Sequence, residues 1–267
     1  MRIIVTNDDS HASPLLLFLI NFLQSLGSVT VIVPRFEQSW RGKSITRFER
    51  MELQESVLDG HPIYTLDGTP ADCANIGVHH LYDTPPDLLI SGINAGQNTG
   101  SGFIMSSGTV GACLEANVAG VPAIALSQHL DWQLMKDFRE GYIIHEPEAS
   151  RLRQQIEKIL SVLLPKLFSH EGLFADKITY NVNFPYILKE PLKIVPTSVG
   201  NNVYGSLFSR VEGNVFEHDL RAVTWDQRHD IDARVIDQGL VSVSLLDIRK
   251  FGQLDSSQTR NLKEVLD

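Results

Sequence analysis

Short, uninterrupted apolar runs punctuate the first half of the chain. Ile3-Ile-Val5 and Val29-Thr-Val-Ile-Val33 flank a segment from about Pro14 to Leu26 that holds the most apolar stretch of the chain, Leu15 to Leu23, and reads as a buried helix. Pro14 suits a first helical turn and Gly27 a helix stop, so the three segments predict a β-α-β unit. Leu88-Leu-Ile90, after Pro85-Pro86, and Ala123-Ile-Ala-Leu126, after Val121-Pro122, are again continuous, as parallel strands covered on both faces require. A helix from about Thr109 to Ala119 fits between them. Strands alternating with helices predict an α/β fold: a Rossmann-like, doubly wound, mostly parallel sheet in which the loops after Val5, Val33 and Ile90 meet at one edge.

Past Gln128 the pattern changes. Leu152, Ile156, Ile159, Leu160 and Leu163 give helical spacing across Pro147 to Phe168, and Thr179 to Phe184 reads as a further strand. Gly200 to Gly213 and Asp230 to Leu246 read as hairpins and strands, with Leu240 to Leu245 alternating at period two. No repeat, low-complexity tract or linker breaks the chain, so residues 1–267 are expected to form a single domain, an α/β core over 1–130 followed by a β-rich C-terminal extension. The run Leu15 to Leu23 is too short for a membrane span and contains Asn21. The first residues lack the make-up of a signal peptide.

Composition then removes some function classes. A net charge of -9 disfavours nucleic-acid polymers as partners, since binding a phosphate backbone needs a basic surface. An anionic small substrate would need a metal or oriented amides. Cys73 and Cys113, far apart among small or apolar neighbours, are expected as buried reduced thiols, which favours a cytoplasmic location.

Two segments carry candidate chemistry. The first strand ends in Asn7-Asp8-Asp9, and adjacent carboxylates repel unless a cation neutralises them, which points to a hard divalent metal. An Asx-rich turn closing the strand is the alternative. Ser91 to Gly111 is glycine-rich, follows a buried strand and opens a helix at Ser107-Gly108-Thr109; such an arrangement lets backbone amides approach an anion. It is neither a Walker A loop, having no Gly-Lys-Ser/Thr, nor a Gly-x-Gly-x-x-Gly fingerprint.

Thr6-Asn-Asp-Asp9, Glu37-Gln-Ser39, Ser91-Gly-Ile-Asn-Ala-Gly96 and Ser107-Gly-Thr-Val110 occur in the order found in the SurE family, and the chain resembles those stationary-phase-survival nucleotidases. Leu66 to Cys73, Gly120 to Ser127, Tyr180 to Pro185 and Gly239 to Ser244 extend the resemblance over most of the chain. It implies a 5′/3′-nucleotidase, a metal-dependent phosphomonoesterase acting on nucleoside monophosphates and in some members on polyphosphate. The implied metal ligands are Asp8, Asp9, Ser39 and Asn94, all hard oxygen donors suited to one Mg²⁺ or Mn²⁺ per subunit. The implied phosphate-binding residues are Asn98, Ser107, Gly108 and Thr109. Asp8 or Asp9 is the expected acceptor of the attacking water's proton. A homodimer or homotetramer, joined partly by an exchanged C-terminal element, is also implied.

Other residues have plainer expected roles. Asp72 is expected to cap the helix that follows it, Glu115 to make a structural hydrogen bond or salt bridge, and His79 and His80 to lie at the surface. His11 reads as a loop histidine, with protonation of the leaving oxygen as its alternative. Trp40 could stack on a base, and Arg41 or Lys43 could neutralise phosphate. The chain departs from the family at Ser10 and Leu15, where glycine is usual, and across Thr99 to Ser106, which lacks the usual acidic pair and aromatic residue. These departures motivate a competing reading, a metal- or nucleotide-binding relative without turnover; retention of all four implied ligands opposes it. A phosphorylated receiver would need an aspartate where Ser91-Gly92 stands, and a dinucleotide oxidoreductase a glycine loop where Asn7-Asp8-Asp9 stands.

Overall fold

The computed structural model describes residues 1–169, 171–253 and 255–266. In chain order the elements are β1 (Arg2–Thr6), α1 (Pro14–Leu23), β2 (Ser28–Pro34), β3 (Leu53–Leu58), β4 (His61–Leu66), α2 (Pro70–His80), β5 (Leu88–Ala95), α3 (Gly100–Ser106), α4 (Gly108–Val118) and β6 (Ala123–Gln128). They continue with α5 (Trp132–Gly141), α6 (Glu148–Phe168), α7 (Glu171–Asp176), β7 (Thr179–Phe184), β8 (Ile194–Pro196), β9 (Asn202–Tyr204), β10 (Phe208–Glu212), β11 (Val215–His218), β12 (Val223–Trp225), α8 (Asp232–Asp237), β13 (Val241–Leu246) and α9 (Ser256–Leu266).

Nine strands form one sheet in the order β3-β4-β2-β1-β5-β6-β7-β13-β8. The run from β4 to β7 is parallel, while β3 lies antiparallel to β4 and β13 antiparallel to β7. Every residue of β6 is buried, which is why that strand reads as continuous rather than alternating; β7 is buried throughout as well, with Thr179, Asn181 and Asn183 hydrogen-bonded inside. Leucines and isoleucines of α1 and α6 pack on one face of the sheet with Ile3, Val5, Leu88 and Ile90. Small residues of α2 and α4, including Cys73 and Cys113, pack on the other with Ile4, Ile32 and Leu89. Burying each large side chain of α1, such as Leu16 or Leu19, is worth about 1.5–3 kcal/mol.

The doubly wound, mostly parallel expectation is thus met, and the order reverses at β1, with β2 on one side and β5 on the other. Several expected boundaries change. The first helix ends at Leu23, so Leu26 and Gly27 belong to the turn into β2. Residues 100–106, read as part of a glycine-rich loop, form α3. The stretch Asp230 to Leu246, read as hairpins and strands, instead holds α8 before β13; Ile231, Val235 and Ile236 bury one helical face there. The β3-β4 hairpin escaped the periodicity reading because its strands are only partly apolar. Its turn was legible all the same: Asp59 and Gly60 both adopt positive φ, at 48° and 83°, the pairing a two-residue hairpin loop demands.

Candidate active site

Three loops converge at the carboxyl edge of the sheet. The backbone N–H of Gln38, after β2, donates to Asp8 O at 2.8 Å, and that of Ala95, ending β5, donates to Asp9 Oδ2 at 2.9 Å. Both aspartates are buried, at 3% and 4% exposure. Burial pushes Asp8 up to about 6, opposed by hydrogen bonds from Thr109 and reinforced by the Glu37 charge. Burial, with the Asp8 charge beside it, raises Asp9 well above the usual carboxylate range. Glu37 also fixes the neighbouring turn, its Oε1 accepting from Ser39 N at 2.7 Å.

Thr109 makes the site's tightest contact. Its hydroxyl donates to Asp8 Oδ1 at 2.5 Å and its N–H to Asp8 Oδ2 at 3.1 Å. In this structure both of its donors face the Asp8 carboxylate. Ser107 caps α4, its Oγ accepting from Val110 N at 3.1 Å, which leaves its hydroxyl hydrogen available. Gly111 N–H goes back to Ser107 O. Of the first four amides of α4, that of Gly108 remains for an anion, at the positive end of the helix dipole. A side chain at Gly108 is excluded, since a Cβ there would meet Asp8 Cβ at 2.8 Å.

Asn98 is held from three sides. Asn183 Oδ1 accepts its N–H at 2.8 Å, Asn181 and Asn183 both donate to its carbonyl, and its Nδ2 donates to Ser127 Oγ at 2.9 Å. One amide hydrogen of that side chain remains. Asn94 Nδ2 donates to Gly96 O at 3.2 Å, which directs its Oδ1 the other way. A cavity of about 360 Å³ is lined by Asp8, Ser39, Asn94, Asn98 and Ser107, with Trp40, Phe103 and Trp225 farther along its wall. A second chamber of about 380 Å³ adjoins it across Ser39 and Trp40 and reaches Asp9, Glu37, Arg139 and Tyr142.

The donor set fits a hard divalent cation. Asp8, Asp9, Ser39 and Asn94 offer oxygen donors only, and two buried carboxylates side by side need a compensating positive charge. Among the described residues no ion pair supplies one to Asp8, Asp9 or Glu37. Nor do three His, Cys, Asp or Glu side chains converge as a metal cluster among those residues, so the fit rests on the mixed set of acid, hydroxyl and amide oxygens.

A family model described as "Survival protein SurE" matches residues 3–206. The chain belongs to the SurE family. It is 46% identical over 130 residues to the 5′-nucleotidase SurE of Methanopyrus kandleri, an alignment covering 49% of each chain. It is 42% identical over 211 residues to the 5′-nucleotidase SurE of Methanocella arvoryzae, covering 77% of this chain and 75% of that one. The crystal structure of the SurE protein from Aquifex aeolicus superposes with a TM-score of 0.74 at 27% identity over the whole of both chains.

Within this SurE fold the remaining expected residues sort by position. Asp72 lies inside the first turn of α2 rather than ahead of it: Thr69 is the N-cap, Asp72 completes a capping box with it, and the same carboxylate accepts from Thr46 N at 3.0 Å. Glu115 pairs with Lys43 and accepts from Asn75 Nδ2 at 2.7 Å, a structural role that also takes Lys43 out of phosphate neutralisation. Arg41 borders a separate cavity of about 540 Å³, walled by residues 44–49 and 66–69, that contains neither member of the acid pair. His11 lines neither chamber, and its Nδ1 is buried without a hydrogen-bond partner; His79 and His80 are exposed. Ser10 adopts a φ of 65°, the conformation that makes glycine usual there, whereas Leu15 is simply core within α1. Cys73 and Cys113 are free and buried, and burial raises both thiols.

The sequence reading missed α5, which brings Met135 and Arg139 to the cleft. Its signals were Asp131, whose Oδ1 accepts from Leu134 N at 2.8 Å, and the helical spacing of Leu134 and Phe138. It also missed Asp232, a buried carboxylate that accepts from Gly100 N at 2.8 Å and Gly200 N at 3.1 Å. No local pattern marks that residue, because both partners are distant in sequence.

Proposed function

We propose that this chain is a divalent-metal-dependent phosphomonoesterase that hydrolyses nucleoside 5′- or 3′-monophosphates to nucleoside and phosphate, with short polyphosphate as a further substrate to test. The observation that carries the reading is one cavity lined by buried Asp8, by Asn98 and by Ser107 at a helix start with unused donors, with Asp9 lining the chamber that adjoins it. The Methanopyrus and Methanocella relatives bear the name 5′-nucleotidase SurE, which agrees with it. Asp8, Asp9, Ser39 and Asn94 would hold one Mg²⁺ or Mn²⁺. Such an ion would neutralise charge developing on the phosphoryl group and make a water more acidic.

The protein's own groups do the rest. Gly108 N–H, the Ser107 hydroxyl and the free Asn98 amide hydrogen bind the equatorial phosphoryl oxygens and orient phosphorus for in-line attack. The acid pair accepts the attacking water's proton. Thr109 keeps Asp8 in place throughout, and no covalent enzyme intermediate is required. The complete oxygen-donor set stands against a purely binding relative.

Among the described residues no helix is long and apolar enough to cross a membrane; a cytoplasmic enzyme is the reading we adopt, with buried reduced thiols in support. A homodimer or homotetramer accords with the hairpin β10-β11, whose Phe208, Val211, Val215 and Phe216 are all more than half exposed. Phosphate release from 5′- and 3′-nucleoside monophosphates and short polyphosphate, with Mn²⁺, with Mg²⁺ and with chelator, tests the function. Asp8→Asn should lose essentially all metal-dependent release while keeping its circular dichroism; near-normal turnover in that variant would sink the metal assignment.

A further inference from the structure

The cavity that begins at Asp8 and Ser107 ends in a wall of aromatic rings. Trp40, Phe103 and Trp225 line it, with the Trp40 and Phe103 centroids 5.7 Å apart at 72° and those of Phe103 and Trp225 5.7 Å apart at 40°. Tyr204 stands behind them, 6.3 Å from Trp40 and 6.0 Å from Phe103, without lining the cavity itself. The rings come from four separate elements: the loop after β2, α3, β9 and β12.

The glycines at the start of α3 make this wall possible. A Cβ at Gly102 would meet Tyr204 Cε1 at 2.6 Å, and one at Gly100, where φ is +73°, would meet Asn202 Oδ1 at 2.8 Å and Trp225 Cζ3 at 3.2 Å. Gly102 N–H donates to Asn202 Oδ1 at 2.6 Å, and Asn202 pairs with Trp225 across the β12-β9 ladder. An acidic side chain at 102 and Tyr204 in its present place exclude one another.

A cavity with anion donors at one end and flat apolar rings at the other calls for an amphiphilic ligand. At about 360 Å³ it falls near the lower end of the roughly 300–1,000 Å³ typical of small-molecule sites. Polyphosphate and sugar phosphates have nothing to place against the rings. We propose that Trp40, Phe103 and Trp225 seat the base of a nucleoside monophosphate, so that this site separates nucleotides from other phosphate monoesters by stacking. The proposal rests on the nucleotidase reading and adds to it the residues that select the substrate.

The test compares kcat/KM for AMP with that for ribose 5-phosphate, in the metal-loaded wild type, Trp225→Ala and Trp225→Phe. The AMP preference should fall about tenfold or more in Trp225→Ala and return in Trp225→Phe, because base–ring stacking of this kind is lost with the ring and kept by another ring. An unchanged ratio in a Trp225→Ala protein with wild-type circular dichroism overturns the proposal while leaving the phosphatase intact. Should Trp225→Ala fail to fold, Trp40→Ala takes its place under the same criteria. If the wild type turns over neither ester, the functional reading fails, and adenosine binding followed by tryptophan fluorescence judges the wall alone. Affinity at least fivefold weaker in Trp225→Ala sustains it, and absence of adenosine binding to the wild type refutes it.

Discussion

The most constrained contact in the site is the one Thr109 makes with Asp8. Thr109 sits in the segment that resemblance assigns to phosphate, yet its hydroxyl and amide both face Asp8. Hydrogen bonds to a buried carboxylate orient a ligand oxygen, and losing such a partner typically costs about 10–100-fold in metal affinity or activity. Thr109→Val keeps the shape and deletes the hydroxyl. We expect Mn²⁺ affinity, read by calorimetry, to weaken by about that factor, with KM for nucleotide at saturating metal changing less. A large KM increase with unaltered metal affinity would return Thr109 to the phosphate cradle.

At the scale of elements, helix starts organise this edge of the sheet. Thr69 and Asp72 close the N-terminus of α2 in a reciprocal box, and the same Asp72 carboxylate accepts from Thr46 N and Oγ1. It thereby ties the long β2-β3 connection, which carries Ser39 and Trp40, to the start of α2. Asp72→Ala leaves the backbone N–H of Thr46 and of Thr69 without their acceptor, for a loss of about 1–3 kcal/mol in denaturant unfolding. A change within about 0.5 kcal/mol, the range of an ordinary surface substitution, would mean that water replaces the carboxylate freely. The cap was readable from Thr69-Pro-Ala-Asp72 alone, whereas its grip on Thr46 was not, since the partners lie 26 residues apart.

For the whole molecule, one pH-dependent contribution to stability comes from a group away from the acid pair. His129, half-buried where β6 ends, is held below its ordinary value of 6.5 by burial, with Asp237 and Asp131 opposing the shift. A depressed folded-state pKa means that the unfolded chain binds more protons as pH falls below that ordinary value. Stability from this group is therefore full above it and is lost as pH falls through the folded value. Between about pH 7.5 and about pH 5.5 the wild type should lose more Tm than His129→Asn does. Parallel Tm profiles for the two would show that His129 does not contribute.

Local pattern and chemistry in the sequence determined the parallel core, the buried cysteines, the acid pair at a strand end and the helix start that follows the glycine-rich segment. Each follows from neighbouring residues: continuous apolar runs need cover on both faces, and two adjacent carboxylates repel one another. Tertiary structure alone decided what those groups face. The assignment of Thr109 to Asp8, of Lys43 to Glu115 and of Asp232 to Gly100 depends on contacts between residues tens to more than a hundred positions apart. The aromatic wall is the extreme case. Trp40, Phe103, Tyr204 and Trp225 share no motif, and two glycines in α3 make room for their convergence only once β9 and β12 have packed against it.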